Sequence, residues 1–240
     1  MDPTPAIPVL RTSWRVLTFT ASREEVVRLD RRHLAFGLVS TWLVGMGRYW
    51  DDPGAHLLQH LGLGSVIYVL VLSPLLFALV WPLLARDWTL VRVLTLVSLV
   101  SPPAALYAIP VERFMSMDAA RSANAWFLAV VAAWRVALLF FFLFRLAQLR
   151  WFQVIVVALL PLAAIVTVLT GLNLQRVVFD LMGGFREPGP HDIAYEILFG
   201  LTMLSVMAIG PLLIAYLTLI VWAQVRKRRA AVPASPGTST

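Results

Sequence analysis

There is no cysteine anywhere in this chain of 240 residues. Disulfides, thiolate metal sites, cysteine nucleophiles and cysteine-linked lipid anchors are therefore excluded. Charge is scarce as well: Asp, Glu, Lys and Arg make up only 14% of the sequence, with 13 acids against 20 bases. No acid falls within a long apolar run, which removes an intramembrane acidic proton relay. There is also no phosphate-binding glycine loop and no nucleophile elbow. The first 30 residues lack the apolar core of a secretory signal, so the first span is expected to anchor a chain that starts near Met1.

What is present in excess is apolar surface. Hydrophobic residues reach 60%, against about 45–50% in soluble globular proteins. The few charges sit in short clusters between long uncharged runs, the pattern of spans alternating with turns. No soluble domain of roughly 100 residues or more has room. The fold class expected is all-α, a polytopic transmembrane helix bundle of six spans: Leu34–Gly47, Leu57–Ala85, Val93–Val111, Ser122–Phe144, Phe152–Leu174 and Ile197–Val225. Residues 34–225 form the membrane domain. Residues 1–33 form a cytoplasmic segment with an interfacial amphipathic helix, and residues 226–240 a basic, disordered tail.

The first span is short. Its 14 residues rise about 21 Å against a hydrocarbon core of about 30 Å, with Arg31, Arg32, Arg48, Tyr49 and Trp50 placed to make up the length at the interfaces. Charge distribution supports counting it. With both termini in the cytoplasm, the six-span layout places 14 of the basic residues inside and 5 outside, leaving Arg135 within a span. Five crossings would translocate one basic terminus, against the positive-inside rule. The net charge of +7 is thus explained by orientation in a bilayer rather than by nucleic acid. Nineteen of the twenty bases are arginine, and Ala, Leu and Val dominate the apolar positions. That composition is expected of a GC-rich bacterial genome, and the expected location is a bacterial inner membrane.

Local signals add detail. Ser22 with Glu25 reads as a capping box, so a helix is expected to start there and run on into the first span, with Arg23, Arg28, Arg31 and Arg32 available to lipid phosphates. Residues 1–21 are expected to lie on the membrane surface. Residues 175–196 read as a brief interfacial helix and a re-entry into the last span. Tyr49, Trp50, Trp88, Trp126, Trp151 and Tyr195 fit aromatic belts.

Two constellations are candidates for chemistry. Arg135 is the only ionisable residue deep in a span, and such a residue is costly unless paired or wetted. At similar depth on the neighbouring span, the Ser101-Pro102-Pro103 step frees the carbonyls of Ser98 and Leu99. Arg135, Ser101 and Ser98 are thus either a helix-to-helix clasp or an anion or lipid-headgroup site. Arg135 itself is expected to be buried among spans rather than turned to lipid.

The second constellation is on the outer side. His56 and His60, spaced i and i+4, face the same way on a helix, and Asp52 and His191, with Asp192 and Glu196, could complete a metal shell. The alternative is a solvated helix cap, with Asp51 or Asp52 capping the helix or accepting from Arg48. No cofactor is expected unless these histidines hold zinc.

The stretch from Ala125-Trp126 to Leu172, with its Trp134-Arg135 pair, resembles multi-span bacterial inner-membrane proteins of uncharacterised role and, more distantly, the Yip1-domain family. That resemblance implies a membrane adaptor or trafficking-like role without catalysis. The leading expectation is a non-enzymatic scaffold, adaptor or accessory subunit. Its partners are the lipid bilayer and, for a scaffold, another membrane protein. The alternatives are a small transporter or lipid- or anion-handling protein using Arg135, and an outer-face metal-dependent enzyme using His56 and His60.

Overall fold

The computed structural model describes residues 6–50, 54, 56–172 and 193–231, and these residues are helical with no strand among them. The helices are α1 (Ala6–Leu17), α2 (Arg23–Val27), α3 (Arg31–Gly47), α4 (Leu57–His60), α5 (Leu63–Val80), α6 (Leu90–Leu99), α7 (Met117–Arg145), α8 (Trp151–Gly171) and α9 (Ile193–Ala231). Short 3-10 turns follow α5 at Trp81–Leu83 and α6 at Pro102–Ala108 and Val111–Arg113. Five stretches are long and apolar enough to cross a membrane: Leu63–Leu83, Leu90–Arg113, Met117–Arg145, Trp151–Gly171 and Phe199–Arg229. The chain is a helical membrane protein, and these five match the second to sixth spans expected from the sequence.

The first expected span forms α3, whose 17 residues are shorter than those five. It nevertheless packs along α6, α5 and the turn after α6. Asp30 caps its start by accepting from the Arg32 and His33 amides at 3.0 and 3.3 Å. Its buried residues are Gly37, Thr41 and Gly45, spaced i, i+4 and i+8, a small-xxx-small stripe that lets membrane helices approach closely. A Cβ at Gly37 would lie 2.9 Å from Ser98 Cβ and 3.2 Å from the Leu99 amide nitrogen, so α3 lies directly on α6. Farther along, a Cβ at Gly45 would meet the Gly62 carbonyl at 2.8 Å, and one at Gly47 the Ala108 Cβ at 3.1 Å. The Trp50 indole donates to the Ala108 carbonyl at 3.0 Å. Close packing thus holds this shorter helix within the bundle.

The N-terminal part departs from expectation. The Ser22/Glu25 capping box is present, with Glu25 N donating to Ser22 Oγ at 3.3 Å and Ser22 N to Glu25 Oε2 at 2.7 Å. The helix does not run on into the span. It ends at Val27, and α3 starts afresh at the Asp30 cap. Residues 6–17, expected to lie on the surface, fold into α1 and dock on the bundle: Val16, Ser13 and Ala21 are buried, and the Trp134 indole donates to the Leu17 carbonyl at 3.1 Å. Phe19 packs edge-on against Phe141, with ring centroids 5.9 Å apart. Arg23, expected to meet lipid phosphates, instead bonds Asp87 at 2.6 Å, and Arg15 bonds Glu25 at 2.5 Å.

These contacts place α2 beside the α5–α6 connection, at the end of the bundle that also carries Arg86, Arg150 and Arg226. We refer to it as the basic end. The described N-terminal and C-terminal segments therefore lie at the same end. The hydrophobic core is concentrated in this half, where Val16 and Val26 pack with Val80, Leu83, Trp88, Leu96, Leu138, Leu143, Leu146 and Val154. Trp88, expected in an aromatic belt, is buried there and donates to the Phe77 carbonyl at 3.3 Å. By contrast Trp50, Trp126 and Trp151 are exposed, as a belt requires.

The expected helix within 175–196 lies outside the described residues up to 192, and so does most of the expected tail, from 232 onward.

Candidate functional site

The clasp expected between Arg135 and the Ser98/Ser101 step is not formed. Ser98 and Ser101 turn to α3 instead. Thr41 Oγ1 lies 2.7 Å from Ser101 Oγ, 3.1 Å from the Ser98 carbonyl and 2.8 Å from its own Gly37 carbonyl. Ser98 Oγ donates to the Thr95 carbonyl at 2.9 Å. The carbonyl freed by the prolines is therefore used, as the sequence implied, but its partner is a hydroxyl on the helix that packs closest. All three residues are buried, so this polar knot holds α3 against α6 and has no opening for a ligand.

Arg135 lies on a different face. It is half-buried on α7, with its guanidinium carbon 5.9 Å from the centroid of the Tyr68 ring on α5. Among the described residues no carboxylate or hydrogen-bond acceptor pairs with it. Arg48 at the α3 terminus sits 5.4 Å from the ring of Tyr107 and 5.2 Å from that of Tyr49. These cations rest on aromatic faces, an attraction of about 0.5–2 kcal/mol depending on desolvation.

Among the described residues, His56 and His60 are not joined by a third His, Asp or Glu that could complete a metal shell. His56 is the N-cap of the short α4, and its backbone N–H donates to Gln59 Oε1 at 2.7 Å. The expected role of Asp51 or Asp52 in capping this helix or accepting from Arg48 falls on residues outside those described. His60 ends the same four-residue helix. Asp51, Asp52, His191 and Asp192 lie outside the described residues, and among those described no group of three His, Asp or Glu comes together. The chain then breaks at Gly62, whose φ of 65° and whose contacts, 2.6 Å from an added Cβ to the Trp42 carbonyl, admit only glycine. The long span therefore starts at Leu63 rather than Leu57.

A half-open cavity lies at the basic end and was not singled out from the sequence. Its volume is about 390 Å³, and the side chains of Arg86, Arg150, Arg226 and Lys227 are exposed at its mouth. Three segments build it: the turn after α5 (Leu83 to Arg86), the α7–α8 turn (Ala147 to Arg150, with Gln153), and α9 (Trp222 to Lys227). Each arrives by a local rule. Pro82 converts the end of α5 into a 3-10 turn closed by Leu84 at φ 60°. The α7–α8 turn passes through Gln148 at φ 52°. Left-handed backbone at a residue with a side chain costs about 1–2 kcal/mol and is kept only where the surroundings enforce it. Here α9 supplies that enforcement: Tyr216 OH donates to the Leu79 carbonyl at 2.6 Å, and Gln224 to the Pro82 carbonyl at 3.4 Å.

Electrostatically the cavity is one-sided. Arg86, Arg150, Arg226 and Lys227 line it, and no carboxylate does. Trp222 organises two of them, with Arg226 3.7 Å and Arg150 5.5 Å from the centroid of its benzenoid-pyrrole system. Leu83, Leu84 and Leu149 add an apolar wall. The chemistry of this lining, clustered cations beside an apolar surface, is suited to an anion.

Sequence reasoning missed the site for a definite reason. Each of these bases flanks a span, where the positive-inside rule already accounts for it. Only the fold shows that four of them share one cavity.

No family model, no curated protein and no solved structure matches this chain. The site must therefore be read from its own chemistry.

Proposed function

We propose that this chain is a non-enzymatic polytopic membrane protein that binds the phosphate-bearing headgroup of an anionic lipid in the pocket at its basic end. The observation that carries the reading is the lining itself, four cationic side chains and no acid around a cavity with an apolar wall. Basic pockets between membrane helices on the cytoplasmic side are a recurrent means of holding such headgroups. The positive-inside rule puts the basic end in the cytoplasm, which opens the pocket toward the inner leaflet. Six crossings, with α3 as the first, then bring both termini to that side.

This relocates the anion-handling alternative from Arg135 to the helix ends. Arg135 rests on Tyr68 and contributes to bundle cohesion. The scaffold reading keeps a specific support of its own, because two hydroxyls join helices: Thr41 to α6 and Tyr216 to α5. A lipid-anchored accessory subunit satisfies both.

The test is lipid titration of the purified protein in a neutral detergent, read by thermal unfolding. Phosphatidylglycerol should stabilise it and phosphatidylcholine should not. The double variant Arg150→Gln with Arg226→Gln should lose most of that stabilisation. Equal response to both lipids would refute the assignment.

A further inference from the structure

The number and placement of the cations define the ligand more narrowly, an inference that rests on the headgroup reading above. A phosphodiester of single charge would neutralise one of the four bases and leave three repelling each other beside an apolar wall. Among the described residues, no acid lines the cavity to compensate. Asp87, next in the chain to Arg86, is engaged elsewhere, accepting from Arg23 at 2.6 Å and lying 3.5 Å from Arg92. Its backbone carbonyl accepts from Arg92 at 2.8 Å. Asp87 thus faces the N-terminal segment and α6, away from the cavity lining.

The cations also enter from three separate segments. Arg150 and Arg226 share the Trp222 ring, so they cannot be farther apart than those two contacts allow end to end. Lys227 follows Arg226 and is rotated by about 100° around α9, and Arg86 comes from the turn after α5. Cations distributed in this way around one cavity suit two anionic groups on a short linker better than one compact anion. The apolar wall of Leu83, Leu84 and Leu149 accommodates the linker and the first carbons of an acyl chain.

We propose that the pocket selects a headgroup carrying two phosphates. The Arg150/Arg226 pair holds one phosphate beside Trp222, and Arg86 with Lys227 holds the other. The lipid source is a bisphosphatidyl or diphosphate-linked species of the inner leaflet, and the same chemistry is offered in soluble form by a free diphosphate.

The experiment uses the full chain in neutral detergent, titrated with cardiolipin or with twice its molar amount of phosphatidylglycerol, so that phosphate and charge are matched. Inorganic pyrophosphate and phosphate serve as soluble competitors. The expected result is at least tenfold tighter binding of cardiolipin at matched charge. Replacing Arg86 and Lys227 by glutamine together should reduce cardiolipin affinity by about 30-fold, or about 2 kcal/mol at roughly 1.4 kcal/mol per decade, from about 1 kcal/mol per base. Phosphatidylglycerol affinity should change far less. Arg145→Gln, at the same end but outside the cavity lining, is the control for general surface charge, and Arg86→Gln alone is the fallback should the double variant fold poorly.

A cardiolipin preference that disappears in R86Q/K227Q and survives R145Q supports the inference. Competition by pyrophosphate without any lipid response also supports the two-phosphate site and assigns its source to a soluble diphosphate. Equal affinity at matched charge overturns the two-phosphate inference while leaving an anionic-lipid pocket intact. Absence of binding to any anionic lipid or phosphate overturns both readings.

Discussion

Replacing Gly37 by alanine tests the packing on which the position of α3 depends. In helix interiors alanine is preferred over glycine by roughly 0.5–1 kcal/mol, so an open site should gain from the change. Gly37 is not open. The added methyl would stand 2.9 Å from Ser98 Cβ and 3.2 Å from the Leu99 amide nitrogen, and closer still to Ser98 Oγ. Separation of two packed backbones costs typically about 1–3 kcal/mol, and it lengthens the Thr41 contacts to the Ser98 carbonyl and Ser101 Oγ. Interhelical hydrogen bonds in membranes average about 0.6 kcal/mol. Strain and lost bonding together outweigh the helix preference, giving a net loss of about 1–2 kcal/mol.

Gly200→Ala on α9 is the matched control, since nothing lies within 4 Å of an added Cβ there, and it should be neutral or slightly stabilising. Equilibrium unfolding in mixed micelles reads both variants. Ser98→Gly removes two of the three clashing atoms, so its combination with Gly37→Ala should show a favourable coupling in a double-mutant cycle. If Gly37→Ala is as stable as Gly200→Ala, α3 does not approach α6 in this way and the account of its stability fails.

Three further outcomes follow from other parts of the structure. Reporter fusions within residues 1–20 and after Lys227 should both report cytoplasm, because α2 and the end of α9 lie at the same end of the bundle. A periplasmic signal from either would remove the six-crossing arrangement. Arg135→Met should change stability by no more than about 1 kcal/mol in either direction: it loses the cation–π contact with Tyr68 but relieves a costly intramembrane charge. A loss beyond about 2 kcal/mol in the same unfolding assay would mean that Arg135 has an anionic partner.

Asp30 gives a pH dependence. Partial burial pushes its carboxyl up, but the hydrogen bonds it accepts from the His33 ring and from the His33 and Arg32 amides prevail and hold it below the ordinary value of 3.8. A carboxyl lowered on folding stabilises the folded chain fully above its unfolded value, and that contribution disappears as pH falls through the folded value. Thermal stability should therefore drop below about pH 4, and Asp30→Asn should flatten that limb. A parental profile in the variant would refute the role of the cap.

Sequence alone determined the solvent, the helical class and five of the spans. The free energy of inserting about 20 apolar residues depends on composition along a segment and hardly on its neighbours. The Ser22/Glu25 box was equally legible, because capping is a contact between residues three apart. The sequence also marked Ser98, Ser101 and Arg135 as polar groups needing partners, but not which partners. Thr41 rather than Arg135 meets the Ser98 carbonyl because Gly37 lets α3 approach α6 closely, a fact of packing between segments about 60 residues apart in the chain.

The N-terminal segment shows the same limit. Its amphipathic pattern called for an apolar surface, and only the tertiary fold decided that part of this surface is the bundle itself, through Val16, Phe19 and Trp134. The pocket is the clearest case. Arg86, Arg150, Arg226 and Lys227 each occur where any membrane protein places bases. They line one cavity because α9 returns to the basic end and docks Tyr216 and Gln224 on the end of α5, bringing charges from three distant segments together.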